Sequence, residues 1–132
     1  METAADGRIR VVLADDDGAY LESLRLLIDR QPELAVVGAV GDGLAAIRLV
    51  DHVEPEAVVI DLHMPLLDGV SAVARMRRDH PNLCVIALTG DPEPALHDAV
   101  TRAGADAVML KNELVEHLVE RLAAVRTQVA AT

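Results

Sequence analysis

The sequence predicts an α/β domain built on a five-stranded parallel sheet, doubly wound, with helices on both faces. Three observations predict it. Five short aliphatic runs alternate with five segments whose apolar residues recur at helical spacing, and the links between them are short. That alternation calls for right-handed βαβ crossovers. The run Ala57-Val58-Val59-Ile60 shows no polar alternation, which is the mark of a strand covered on both faces. Hydrophobic residues make up 52% of the 132 and aromatic residues only 1%, so the core must be built from Val, Leu, Ile, Ala and Met.

Taken in order, residues 1 to 7 read as a disordered lead, residues 8 to 126 as the domain, and residues 127 to 132 as a C-terminal tail. Ile9 to Ala14 is the first strand and runs into Asp15, Asp16 and Asp17. Asp17 reads as a helix N-cap, and Tyr20, Leu21, Leu24, Leu27 and Ile28 mark one helix face until Pro32 forces an exit. Leu34 to Val40 is the second strand. Gly41-Asp42-Gly43 turns the chain into a helix that buries Leu44, Ile47 and Val50. Pro55 closes that unit, and the third strand follows, stopping on Asp61. Met64-Pro65 and Asp68-Gly69 read as loop. The next helix directs Val70, Val73, Ala74 and Met76 inward and Arg75, Arg77 and Arg78 elsewhere. Leu83 to Leu88 is the fourth strand, ending on Thr89-Gly90. Asp91-Pro92 reads as an N-cap followed by proline at the first helical position. Leu96, Ala99, Val100 and Ala103 pattern that helix as far as Gly104, a C-terminal glycine. Ala107 to Leu110 is the fifth strand and ends on Lys111. Asn112 reads as the cap of a last helix striped by Val115, Leu118, Val119, Leu122 and Val125.

The formal net charge of −10 disfavours non-specific contact with nucleic acid or an anionic membrane. The single cysteine, Cys84, sits in an apolar run and reads as a buried, reduced thiol, which suits a cytoplasmic protein. No apolar stretch is long enough to span a membrane.

Four of the five strands end on reactive or charge-binding residues: Asp15 and Asp16, Asp61, Thr89, and Lys111. In a parallel sheet all carboxyl ends share one rim, where open α/β sheets place their ligands. Clustered carboxylates repel one another unless a cation binds or a proton stays on. Oxygen ligands of this kind suit Mg²⁺ together with a phosphate. A nearby ammonium and a hydroxyl add the charge and the hydrogen bond that a phosphoryl group needs. Lys111 is the only lysine among 12 basic residues, a compact ammonium kept at a strand end in a chain that otherwise uses arginine. Taken singly, each of these residues reads equally well as a turn, cap or solvated strand-end residue. Their placement at the ends of separate strands of one sheet is what points to a site.

In order along the chain, VVLADDD, VVIDLHMPLLDG, IALTG and AVMLK resemble the motifs of response-regulator receiver domains of bacterial two-component signalling. The segments QPELAVVGAVGDGLAAIRLV and MRRDHPNLCVIALTG are most similar to the NarL/FixJ branch. The resemblance implies a (βα)5 flavodoxin-like fold in which Asp61 accepts a phosphoryl group from a histidine kinase or phosphotransfer protein. It implies Mg²⁺, for which Mn²⁺ could substitute, on Asp15, Asp16, Asp61 and the backbone carbonyl of His63. Thr89 and Lys111 would bind the phosphoryl oxygens. The protein would then be a phosphoacceptor with self-catalysed transfer and slow autodephosphorylation rather than an enzyme acting on others. Its output would be a switched surface on the fourth helix, fifth strand and fifth helix. That surface would meet a downstream protein, a covalently linked output domain, or a second copy in a homodimer, with no direct contact to nucleic acid.

The chain departs from that pattern at three places. Ala107, Val108 and Met109 stand where the family commonly carries an aromatic residue, Asn112 replaces a common proline, and Gly90 follows Thr89. His63 lies two residues past Asp61 and Asp91 two past Thr89, so both are expected to flank the path of hydrolytic water. Two alternatives are a receiver-like module that signals by contact without phosphorylation and a metal-dependent aspartyl-phosphate phosphatase. The phosphatase would need a second acid where this chain has His63.

Overall fold

The computed structural model describes residues 7–113 and 115–125. Residues 1–6 of the expected lead and the whole expected tail lie outside them. The strands are β1 (Ile9–Ala14), β2 (Leu34–Val40), β3 (Ala57–Asp61), β4 (Cys84–Thr89) and β5 (Ala107–Leu110). The helices are α1 (Gly18–Asp29), α2 (Gly43–Val53), α3 (Gly69–Asp79), α4 (Pro94–Ala103) and α5 (Val115–Ala123), each following the strand of the same number. All pairings are parallel, in the order β2-β1-β3-β4-β5. The chain moves outward from β1 to one edge, then returns to β3 and proceeds to the other. The carboxyl ends of β1 and β3 therefore flank the point where the winding reverses, the crevice-forming position of such sheets.

Alternation of side chains across the sheet divides the interior into two cores. Val12, Ala14, Val58, Ile60, Val85 and Ala87 pack against α2, α3 and α4 through Ile47, Val50, Val73, Met76 and Val100. Val11, Leu13, Val59, Ile86, Leu88 and Met109 face α1 and α5 through Leu24, Ile28, Leu118 and Leu122. With both faces covered, every residue of β3 is buried, which is why Ala57 to Ile60 reads as an unbroken apolar run.

Several local expectations are corrected. Ala74 and Ala99 are exposed, and in α3 Ala72 takes the inward position expected of Ala74. Asp91 does not cap α4. The helix begins with Pro94 in its first turn and Glu93 before it, while the Asp91 carboxylate accepts from Glu93 N at 2.9 Å in a turn of its own. Asn112 lies in a turn in which Glu113 N donates to Leu110 O at 3.0 Å, and its expected capping of α5 falls on a junction outside the described residues. Residue 114 lies outside the described residues, as do the side chain of Val115 and any extension of the domain to Arg126. Cys84 is only partly buried. Other expectations hold. Arg77 points away from the core face as expected, and its guanidinium donates to Gly104 O, Pro81 O and Leu83 O and pairs with Asp106. Asp17 caps α1 by accepting from Tyr20 N at 3.1 Å. Gly104 ends α4 at φ 123°, a conformation L side chains rarely adopt.

Candidate functional site

Backbone pairing continues past the strand ends and fixes the rim. Asp15 N donates to Val40 O, Leu62 N to Leu88 O, and Lys111 N to Thr89 O. Gly69 lets the start of α3 press against the end of β3: a Cβ there would lie 2.4 Å from Leu62 Cα. Asp61 and Asp15 are 2% and 1% exposed, so two carboxylates are held almost out of water, with the exposed Asp16 beside them. One carboxylate oxygen from each of Asp15, Asp16 and Asp61 lies within 4.8 Å of the others.

The polar contacts of these groups are few. Asp15 Oδ1 accepts from Asp17 N at 2.9 Å, and Asp61 Oδ1 accepts from His63 N at 3.3 Å. Lys111 Nζ lies 2.7 Å from Asp15 Oδ2 and 3.5 Å from Asp61 Oδ2. The Lys111 ammonium is the close partner of the buried Asp15 Oδ2, which has no other donor among the described residues. An all-oxygen set of three carboxylates, two of them buried and sharing a single ammonium, fits a hard divalent cation.

Burial and then the neighbouring Asp15 charge push the Asp61 carboxyl above the usual aspartate range, against the opposing pull of His63 N and Lys111. Burial alone would lower the Lys111 pKa, but the two carboxylates outweigh it and hold the ammonium above its usual value. Excess negative charge thus meets one permanently charged cation.

Thr89 is fully buried, and its hydroxyl oxygen accepts from Asp91 N at 3.0 Å and lies 3.3 Å from His63 Nε2. The structure therefore gathers Asp15, Asp16, Asp61 and Lys111 into one cluster and joins Thr89 to His63 on its flank. Asp91 is attached to the same flank. The sequence reading missed Tyr20, whose ring centroid is 4.7 Å from Lys111 Nζ; its signal was that it is the chain's only aromatic residue. Of the other histidines, His80 Nε2 pairs with Asp51 at 2.7 Å, away from the cluster, and His97 Nε2 lies 3.0 Å from Asp91 O on the site's flank.

The fold that carries this cluster is shared with known proteins. The family model of the response regulator receiver domain matches residues 11–123. The Bacillus subtilis transcriptional regulatory proteins YhcZ and YxjL are 32% and 34% identical to the chain over 85% and 89% of it, which is 52% and 54% of their own length. The chain thus spans about half the length of these curated relatives. Among solved structures, the signal receiver domain of the response regulator NarL from Mycobacterium tuberculosis superposes with a TM-score of 0.85. It has 27% identity, with 90% of this chain and 97% of that one covered. With its fold and nearly all of its described length matched, the chain belongs to the response-regulator receiver domain family of bacterial two-component systems, in company with regulators of the NarL and LuxR type.

Proposed function

We propose that the chain is a phosphorylation-controlled switch in which Asp61 accepts a phosphoryl group from the phosphohistidine of a sensor kinase or phosphotransfer protein. The observation that carries this reading is the Asp61 carboxylate, 2% exposed at the end of β3 and 3.5 Å from the chain's only lysine. An Asp61 oxygen attacks phosphorus while the bond to the donor's imidazole nitrogen breaks, and the product is an acyl phosphate that water later removes. Asp15, Asp16, Asp61 and the backbone carbonyl of His63 would hold Mg²⁺, or Mn²⁺ in its place. When bound, the metal supplies charge neutralisation around the phosphoryl oxygens. Lys111 pairs with one phosphoryl oxygen, and Thr89 offers its hydroxyl to another after leaving Asp91 N. Positioning and charge, rather than proton transfer, do most of the catalysis.

The working unit is residues 8 to 126, followed by a tail, in a cytoplasmic protein. Phosphorylation biases two conformations of the surface formed by α4, β5 and α5. That surface addresses a downstream protein, an attached output domain of a longer transcriptional regulator, or a second copy. Direct contact with nucleic acid is disfavoured by the net charge of −10. Among the described residues no helix is long and apolar enough to cross a membrane.

The test is intact mass after incubation with acetyl phosphate, with and without Mg²⁺, on the parent and Asp61→Asn. A single phosphoryl adduct that needs Mg²⁺ and is lost in the variant is expected. A parent that binds Mg²⁺ yet forms no adduct would overturn the reading in favour of switching by contact alone.

A further inference from the structure

The chain has one lysine and one aromatic residue, and the fold puts them against each other. Tyr20 stands in the first turn of α1, half-buried, and Lys111 follows the end of β5, on the far side of the sheet's winding reversal. Their separation of 4.7 Å from Nζ to ring centroid is within cation–π range. The ammonium therefore has three neighbours of known identity: Asp15 Oδ2, Asp61 Oδ2 and the face of the Tyr20 ring.

A lysine is a poor choice for a fixed charge unless something fixes it. Its four-carbon stem is flexible and its ammonium strongly hydrated, so ordering it costs side-chain entropy. The two carboxylates supply attraction, but both are also the groups that a cation would engage. If Lys111 relied on them alone, its position would loosen when that charge is shared. A ring face contributes attraction that does not depend on the carboxylates, and it keeps water from one side of the ammonium, which strengthens the remaining electrostatic contacts.

We infer that Tyr20 is a positioning residue for Lys111, holding the ammonium beside Asp61 through its ring face so that it meets the incoming phosphoryl group without a search. The inference rests on the phosphoacceptor reading of Asp61. The contact uses the ring and not the phenol hydroxyl, so phenylalanine serves in its place, whereas leucine keeps the packing against the α1 and α5 core and removes the π face.

Two measurements on the full chain test this, using Tyr20→Leu and Tyr20→Phe. With lysine selectively labelled with ¹³C, Lys111 gives the only lysine signals in the spectrum. Its ε-methylene protons should be shifted upfield by the ring current in the parent and in Tyr20→Phe, but not in Tyr20→Leu. The initial rate of adduct formation from acetyl phosphate at saturating Mg²⁺ should fall about fivefold in Tyr20→Leu, the size of a partly desolvated cation–π contact. Tyr20→Phe should restore it to within about twofold of the parent. In a Lys111→Met background Tyr20→Leu should add nothing, an outcome a general packing role would not give. Where Tyr20→Leu lowers the unfolding temperature, Tyr20→Met replaces it. Equal rates in parent and Tyr20→Leu, equal losses in Leu and Phe variants, or a Leu effect that persists without Lys111 would each overturn the positioning role alone. An absence of adduct in the parent would instead bring down the phosphoacceptor reading, and the positioning role with it.

Discussion

Replacing Arg77 should cost more stability than replacing any other arginine on α3, although nothing about its helical position distinguishes it from Arg75 or Arg78. Its Nε and Nη2 donate to Gly104 O at 2.9 and 2.8 Å, Nη1 to Leu83 O at 2.7 Å and Pro81 O at 2.8 Å, and Nη2 to Asp106 Oδ2 at 2.7 Å. One guanidinium thus ties α3 to the loop before β4 and the loop before β5. The Asp106 side chain is 54% exposed and the Pro81 bond is exposed, so water replaces those two partners at little cost. Gly104 O and Leu83 O are part-buried, and each loses a charged donor at about 1–3 kcal/mol. Arg77→Met, which keeps most of the stem packing, should therefore lose about 3 kcal/mol. Arg77→Lys, with one ammonium for several sites, should lose roughly half of that. In urea the midpoint should fall by about 1.5 M with the slope unchanged, and the thermal midpoint by about 10 °C. A loss under about 0.5 kcal/mol in Arg77→Met would refute the view that these carbonyls depend on the guanidinium.

Asp61→Asn should raise stability at neutral pH while abolishing phosphoryl acceptance. Burial and Asp15 raise the Asp61 pKa in the folded chain, so the folded state binds this proton more tightly than the unfolded one. Ionised Asp61 therefore opposes folding above its folded pKa, and the opposition fades as pH falls through that value toward the unfolded one. Metal-free urea midpoints should show the variant ahead at pH 7 and the gap narrowing in acid; a parent that is the more stable at pH 7 would count against the sign. Burial pushes the Cys84 thiol up to about 11, so alkylation by iodoacetamide at pH 8 should be far slower in the folded chain than in urea. His63→Ala and Asp91→Ala should each change the lifetime of the phosphorylated form several-fold and its rate of formation much less. Decay rates equal to the parent's would end that idea. Asp91→Ala should also weaken the response of α4 amide exchange to phosphorylation, and an unchanged response would show that α4 is reached by another route.

The fold was legible because a parallel sheet with both faces covered leaves a strong trace: β3 is apolar up to its closing Asp61, and helices on either side carry the periodic stripes. The cluster was legible because chemistry ended on the strands. Asp15, Asp61, Thr89 and Lys111 are each the last residue of a strand or the first after it, so their convergence follows from topology alone. Arg77 left no such trace, since its principal partners are main-chain carbonyls of residues 4, 6 and 27 positions away. Asp91 misled because two prolines follow it. Pro92 gives a plausible first helical residue, but Pro94 is the one used, with the Asp91 carboxylate turned onto Glu93 N. Competing caps of this kind are settled by where the chain leaves β4, which is a tertiary matter.

The same loop bears on the absent aromatic. In β5 the partly buried Val108 packs against the core, and no ring stands there to follow a moving threonine. Thr89 is nevertheless tied to α4 by links between side chains and the main chain. Its hydroxyl accepts from Asp91 N, the Asp91 carboxylate accepts from Glu93 N, and Asp91 O lies 3.0 Å from His97 Nε2 within α4. Drawing the Thr89 hydroxyl toward Asp61 breaks the first of these bonds and frees the residues that lead into α4. On the proposed phosphoacceptor reading, a hydroxyl that holds the loop in one state and would hold a phosphoryl oxygen in the other would couple the two sites by exclusion, and such coupling needs no aromatic side chain.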